Sequence, residues 1–429
     1  MTSLPRLALL SGAAFAALAP QAHAGGFYLQ EQSVRGTGRA YSGEVADQGV
    51  ESLWWNPSAI ADSPREVYVG ANGVFVDAKV QNQGSAITYP GGTTVPVGGN
   101  PTAKNPIQNG LAPNFAIATP IGDRFAVGLS VAAPYNFITK YQPDSWARYD
   151  ALTSRLTTAD IQLTGAMKVT DWLNVGVGFD SEYTSARLIT AEPNLSPTLP
   201  DGASQLRGDG WNYGYTLGAQ AKFDRLTLGA SYRSAMDHDL NGQVSVSGLL
   251  GPLAAGNANL SGKASFTTPW IATFGGRYQL NDKLTLDAQI QRFGWSEFRS
   301  INVTTAAGAQ VLPQNYQDTT SGGVGFDYAL NPKLTLRAGV QYDPTPTPDV
   351  GRTARVPDGD RWLFGAGGTA QINDHMKLDV AVAYIDFANS SVNNDAVFYS
   401  GTPAATSAAL RGQVEGEGYV VSVGLRSRF

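Results

Sequence analysis

From about residue 65 onward, apolar and polar positions alternate in runs of roughly ten residues, a period of two that predicts β-strands. In 211–223, Trp211, Tyr213, Tyr215, Leu217, Ala219, Ala221 and Phe223 share one face, while Asn212, Gly214, Thr216, Gly218, Gln220 and Lys222 share the other. The next run sets Leu226, Leu228, Ala230 and Tyr232 against Thr227, Gly229, Ser231 and Arg233. The run 334–342 sets Leu334, Leu336, Ala338, Val340 and Tyr342 against Thr335, Arg337, Gly339 and Gln341. Runs at 125–131, 161–169, 173–179, 270–280, 284–290, 320–330, 362–372 and 378–384 fit the same template, 65–76 and 111–119 fit it more weakly, and 419–429 closes the chain. One face so aromatic and the other so wet suits a wall with lipid outside and a polar lumen inside.

The connections sort by length. Short turns fall at 120–124, 170–172, 224–225, 281–283, 331–333 and 373–375, where Asn, Asp, Gly and Pro favour tight reversal. Long polar stretches at 77–110, 132–156, 189–209, 237–260, 299–317, 343–359 and 388–414 alternate with them. A transmembrane barrel has short periplasmic turns, longer outer loops and an even strand number. The pattern therefore predicts an all-β fold: a transmembrane β-barrel of about 14 antiparallel strands.

Composition supports this over a helical membrane protein. The chain has 429 residues, 49 of them Gly, and only 15% are charged. Mean hydropathy is −0.16, and no apolar run reaches the roughly 20 residues that a membrane helix needs. The net charge of −5 comes with no basic patch suited to nucleic acid. The absence of Cys excludes disulfides, thiolate metal sites and a lipid anchor on an N-terminal Cys. Acidic clusters are too sparse for a metal cage, so no metal or cofactor is expected. Three His (His23, His238 at a predicted loop edge and His375 in a predicted turn) give little basis for an enzyme.

Residues 1–24 read as a secretory signal: Arg6, an apolar stretch at 7–18, and an Ala22-His23-Ala24 cleavage site. The mature chain then starts at Gly25, is exported, and is bound for the outer membrane of a Gram-negative bacterium. Residues 25–64 are Gly-rich and broken, too irregular for a helix and too short for a domain. They are expected to fill the lumen of the 65–429 barrel as a plug. Phe429 ends the last strand, and a terminal aromatic there resembles the signal read by the barrel assembly machinery.

Within 25–64, Gly26-Phe27, the run Gly36-Thr37-Gly38-Arg39-Ala40-Tyr41-Ser42-Gly43-Glu44, and Asn56-Pro57-Ser58-Ala59 resemble the hatch of the FadL-type long-chain fatty acid transporters. Val356-Pro357-Asp358-Gly359-Asp360-Arg361 and the Pro120-Ile121 turn agree with the same family, and Ser58 stands where it usually has Ala. The resemblance implies a fourteen-stranded barrel with an N-terminal hatch, an inward kink of the third strand against which the Asn-Pro turn lies, and passive movement of a hydrophobic substrate released sideways through the wall. The expected partners are long-chain fatty acids or other hydrophobic molecules, outer-membrane lipid and the assembly machinery, with the protein a monomer. A channel for aromatic hydrocarbons on the same fold is the alternative, and a general diffusion porin a more distant one.

Candidate residues follow. Phe27, Tyr28 and Leu29 open the mature chain and are expected either to touch ligand or to pack the plug. Arg187 is the candidate for a carboxylate head, near where the family places an arginine. Trp54 and Trp55 are adjacent and so point apart, one of them packing plug against wall. Asn56, Pro57 and Ser58 form a tight turn with an expected gating role. Pro134, with Tyr135 and Asn136, breaks the alternation after 125–131, because proline cannot donate to a ladder; it marks either a kink in the wall or the end of a strand. Arg39 and Glu44 suit a plug–wall ion-pair network. Asp358, Asp360 and Arg361 suit plug anchors, or else a capped outer loop.

Overall fold

The structure, a computed structural model, describes residues 25–429; the predicted signal segment lies outside them. Fourteen antiparallel strands form one closed wall. In chain order they are β1 (Glu66–Asn82), β2 (Gly110–Ile121), β3 in two pieces (Phe125–Ala132 and Asn136–Lys140), β4 (Thr153–Lys168), β5 (Leu173–Glu192), β6 (Gly202–Phe223) and β7 in two pieces (Leu226–Arg233 and Met236–Ser247). They continue with β8 in two pieces (Ala258–Thr268 and Ile271–Gln279), β9 (Leu284–Phe293), β10 (Thr319–Asn331), β11 (Leu334–Asp343), β12 (Arg361–Gln371), β13 (Met376–Phe398) and β14 (Thr406–Arg428). β1 pairs with β14 from Glu66↔Arg428 to Asn82↔Gly412, so the sheet has no free edge. Closure matters in lipid, where an unpaired backbone group has no water to bond.

The predicted faces are seen directly. Trp211, Tyr213, Tyr215 and Leu217 point outward and are exposed, whereas Asn212, Thr216 and Gln220 are buried inside. Several expected outer loops are instead strand. The stretches 189–209, 237–260 and 388–414 are largely taken up by extensions of β5–β6, β7–β8 and β13–β14. Above the bilayer both faces of a hairpin meet polar surroundings. The apolar alternation fades there while the hydrogen-bond ladder continues.

Residues 25–63 lie inside the lumen, nearly all buried. One short helix, α1 (Val34–Gly38), is capped by Ser33, whose hydroxyl accepts from the Gly36 N–H at 2.8 Å. Three single turns of 3-10 helix follow. Wall glycines let this segment approach closely. A Cβ on Gly218 would stand 2.0 Å from Asn56 Oδ1, and one on Gly339 would stand 2.0 Å from the Arg39 carbonyl oxygen. Only a residue without a side chain fits at either contact.

Candidate functional site

The first residues of the plug meet the wall where β3 is interrupted. Its two pieces both pair with β4, through Ala132↔Asp160 and Asn136↔Thr157, but residues 133–135 leave the ladder. β2 pairs with β3 only from Phe115↔Val131 downward, so the wall is open above that point. Further up, a single bridge between Ile107 and Thr139 closes it again. The orphaned groups of the break turn inward to the plug. Leu29 N–H donates to Pro134 O at 2.7 Å, and Asn136 N–H donates to Phe27 O at 3.3 Å. The Gln32 amide donates to Ala133 O at 3.2 Å and accepts from Ala133 N–H at 3.3 Å. Tyr135 N–H donates to Thr158 Oγ1, and the Asn136 side chain bonds Thr158 through both its donor and its acceptor. Pro134 thus sits at an interruption of the strand, with the strand resuming two residues later.

Phe27 and Tyr28 project into an aromatic cluster. The Phe27 ring lies 4.9 Å from Trp295, 5.0 Å from Phe298 and 5.9 Å from Tyr135. Phe27 also borders an apolar cavity whose other walls include Leu156, Leu188, Leu240, Phe266 and Tyr316. The buried cation at its wall is Arg355, from the loop between β11 and β12. Arg355 Nη2 donates to the Asp150 carbonyl at 2.9 Å, whereas Nη1 is sealed from solvent and has no hydrogen-bond partner among the described residues. Burial pulls the Arg355 pKa below its usual value, with the Asp150 charge opposing. A buried guanidinium N–H so placed lacks an acceptor. Arg155 also borders the cavity, but its side chain is exposed and bonds Thr157 Oγ1 at 3.1 Å.

The start of the plug is tethered at the same level. Gly26 N–H donates to Asp358 Oδ2 at 2.7 Å, and burial raises the Asp358 pKa. Arg361 pairs with Asp343, which also accepts from the Gln30 amide at 2.9 Å. Asp360 is turned away from the plug; it accepts from the Tyr342 hydroxyl and from Thr345 N–H.

Lower down, plug and wall share an ion network. Arg39 contacts Glu44 and Asp47 within the plug and reaches Asp327 on β10 at 3.1 Å. Arg277 on β8 returns to Asp47 at 2.7 Å, and Arg426 on β14 meets Glu51 at 3.2 Å. Asn56 is bonded on every side: its amide donates to Val45 O at 2.7 Å and Ala219 O at 3.1 Å, and its carbonyl accepts from Ser58 N–H and Oγ. The Asn56-Pro57-Ser58 turn packs on Gly176 of β5 and Gly218 of β6, not on the β3 break where the family resemblance placed it. The break is held by 27–32 instead. Trp54 lies under the Arg233 guanidinium at 3.6 Å, while Trp55 stacks on Tyr41 at 5.7 Å. The two indoles therefore diverge, and both are buried against other groups.

Arg187 does not reach the cavity. It is exposed on the outer face and bonds Gln205 Oε1, while its neighbours Ala186 and Leu188 face in. His238 is buried inside the β7 wall rather than at a loop edge, between the hydroxyls of Thr184 and Thr268 at 3.1 Å each. Sequence reasoning passed over Gln32, Arg233, Asp343 and Arg355. Of these only Arg355 carried a signal, since it directly precedes the Val356-Pro357-Asp358 block.

Comparisons with known proteins agree with this architecture. Residues 15–429 match the family described as "Outer membrane protein transport protein (OMPP1/FadL/TodX)". The long-chain fatty acid transport protein of Escherichia coli strain K12 is 26% identical, over 89% of this chain and 92% of that one. Outer membrane protein P1 of Haemophilus influenzae is likewise 26% identical, over 85% of this chain and 86% of the relative. Among solved structures, a Pseudomonas aeruginosa FadL homologue superposes with a TM-score of 0.81 at 24% identity, covering 94% of this chain and all of that one. The Ralstonia pickettii toluene transporter TbuX does so with a TM-score of 0.66 at 22% identity, covering 92% of this chain and 98% of that one. With a closed barrel, an occupied lumen and a match across nearly its whole length, the chain belongs to the FadL/TodX family of outer-membrane proteins that transport hydrophobic compounds and are not enzymes.

Proposed function

We propose that this protein takes up long-chain fatty acids passively, binding them in the cavity beside Phe27 and releasing them sideways at the β3 interruption. The observation that carries the reading is the combination of an apolar cavity with the single unpartnered Nη1 of Arg355 at its wall. An alkyl chain gains about 0.8 kcal/mol per buried CH₂, so a chain of about sixteen carbons gains on the order of 10 kcal/mol on leaving water. A carboxylate supplies the acceptor that Nη1 lacks, as a charge-assisted hydrogen bond. Phe27 borders the cavity, and Phe27 O and Leu29 N–H bond the edge of the break, so a shift of this segment opens both. The relatives named for long-chain fatty acid transport support this substrate class.

Aromatic hydrocarbons are the second reading. The ring cluster of Phe27, Trp295, Phe298 and Tyr316 favours it, as does the likeness to toluene transporters. Calorimetry on the purified protein, in a detergent that leaves the cavity empty, separates the two. Oleate is expected to bind, at least tenfold more weakly to Arg355→Gln, with toluene indifferent to that change. Toluene binding without oleate binding transfers the substrate to the second reading.

A further inference from the structure

Three arginines line up on the outer face of adjacent strands. Arg155 of β4 pairs directly with Arg187 of β5, and Arg187 pairs directly with Arg207 of β6. All three are exposed. Opposed residues in a sheet have Cβ atoms roughly 5 Å apart, and like charges in such pairs destabilise it. Among the described residues none of the three has a carboxylate within salt-bridge distance; each is held by a neutral acceptor instead. Arg155 donates to Thr157 Oγ1 at 3.1 Å, Arg187 to Gln205 Oε1 at 2.6 Å, and Arg207 to Gln243 Oε1. The carboxylates nearest on this face are engaged elsewhere: Asp209 takes the Tyr183 hydroxyl, and Asp239 pairs with Lys263 at 2.9 Å. Lys140 adds a fourth cation, one step beyond Ile138, the β3 residue opposite Arg155.

The height of the row is fixed by its neighbours. Tyr183 and Trp211 pack together on the same outward face, ring centroids 5.4 Å apart, as aromatics do where the hydrocarbon ends. Arg187 and Arg207 each lie four residues farther toward the long-loop end of their own strands. That is about 13 Å along the strand, or roughly 10 Å of height at a tilt near 40°. The row therefore stands among the outer-leaflet headgroups, where a cation is tolerated on the barrel surface.

We infer that Arg155, Arg187 and Arg207 form a binding site for the phosphate groups of an outer-leaflet lipid. Arginine forks match phosphate oxygens bidentately, and a doubly phosphorylated headgroup neutralises the row. Acyl chains of that lipid then lie down the outward face below, over Tyr183, Trp211 and Tyr213. The inference is independent of the substrate reading, because Arg187 and Arg207 face away from the cavity and the cation of that reading is Arg355.

The test is retention of lipid by the purified, delipidated full-length protein in detergent, read by native mass spectrometry and by a fluorescent-lipid titration. The probes are diphosphoryl lipid A, the same lipid with its phosphates removed, inorganic phosphate alone, and oleate. Wild-type protein is expected to hold diphosphoryl lipid A at least tenfold more tightly than the dephosphorylated form. An R187Q/R207Q variant, which leaves the cavity-bordering Arg155 in place, is expected to lose that preference while binding oleate as before. Equal affinity for the two lipids overturns the inference without recourse to any variant. A preference that survives in the variant, or displacement of the lipid by equimolar inorganic phosphate or oleate, overturns it as well.

Discussion

The Gln32 side chain takes the place of a missing strand neighbour for Ala133, donating to its carbonyl at 3.2 Å and accepting from its N–H at 3.3 Å. The plug thus completes the wall at the one place where β2 and β3 part. Truncating the amide in Gln32→Ala leaves the Ala133 N–H without a partner, at roughly 1–3 kcal/mol if it stays dry, while the Ala133 carbonyl keeps the Asn136 side-chain amide at 3.1 Å. The expected result is amide hydrogen exchange at Ala133 at least tenfold faster than in wild type, with Tyr135, held by Thr158 Oγ1, and the lower strands unchanged. Unaltered exchange at Ala133 contradicts the role given to Gln32.

Close packing of plug against wall predicts a second outcome. A side chain at Gly218 collides with Asn56 and Pro57. Gly218→Val is expected to expel the plug from its seat and turn a silent protein into an ion-conducting one in planar bilayers. Deletion of residues 25–62 is expected to do the same. A truncated protein that folds and stays electrically silent shows that this segment does not block the lumen.

Glu51 makes plug docking depend on pH. Burial, reinforced by Asp379 and opposed by Arg426 and Arg35, pushes its carboxyl up from 4.5 to about 7. Because the docked state holds the proton more tightly, this contribution is complete below about pH 4.5 and is lost as pH rises through about 7. Tryptophan fluorescence of the plug, through Trp54 and Trp55, is expected to report looser docking at pH 8 than at pH 5.5. Glu51→Gln is expected to flatten the profile; a profile that persists in that variant assigns the effect to other groups.

Arg233 ties three buried partners together: Asp180 at 2.7 Å, Asp160 at 3.3 Å and the Trp54 carbonyl at 3.1 Å. Arg233→Ala strands two carboxylates inside the wall, a change worth roughly 3–5 kcal/mol. A marked fall in the detergent unfolding temperature is expected, and a smaller one for Trp54→Leu, which removes only the ring under the guanidinium. Equal losses in the two variants rule out the carboxylates as the main cause.

The parts of the fold readable from sequence are those where lipid chooses the side chain. Tyr213, 62% exposed, and Val177, 54% exposed, show why alternation marks the outward face so cleanly. The same parity puts Arg187 outward with Val177 and Phe179, so its absence from the cavity was legible too, and the family likeness drew attention away from it. The upper halves of β5 and β6 were not legible, because water above the membrane imposes no contrast between faces. Arg355 and Gln32 act through partners about 205 and 101 residues away. Their loop and plug segments have no period that could announce such contacts.

The length of β6 has a consequence for delivery. Its 22 residues extend about 70 Å, well over half of which remains as height after tilt, against a hydrocarbon layer of about 30 Å. The surplus stands outside the lipid as a chimney through the sugar-rich coat of the cell. An oily molecule entering at its rim is shielded from the polar layer that would otherwise repel it. On the proposed route the barrel shortens the hydrophilic barrier, which would make uptake rate a matter of chimney height as much as of cavity affinity.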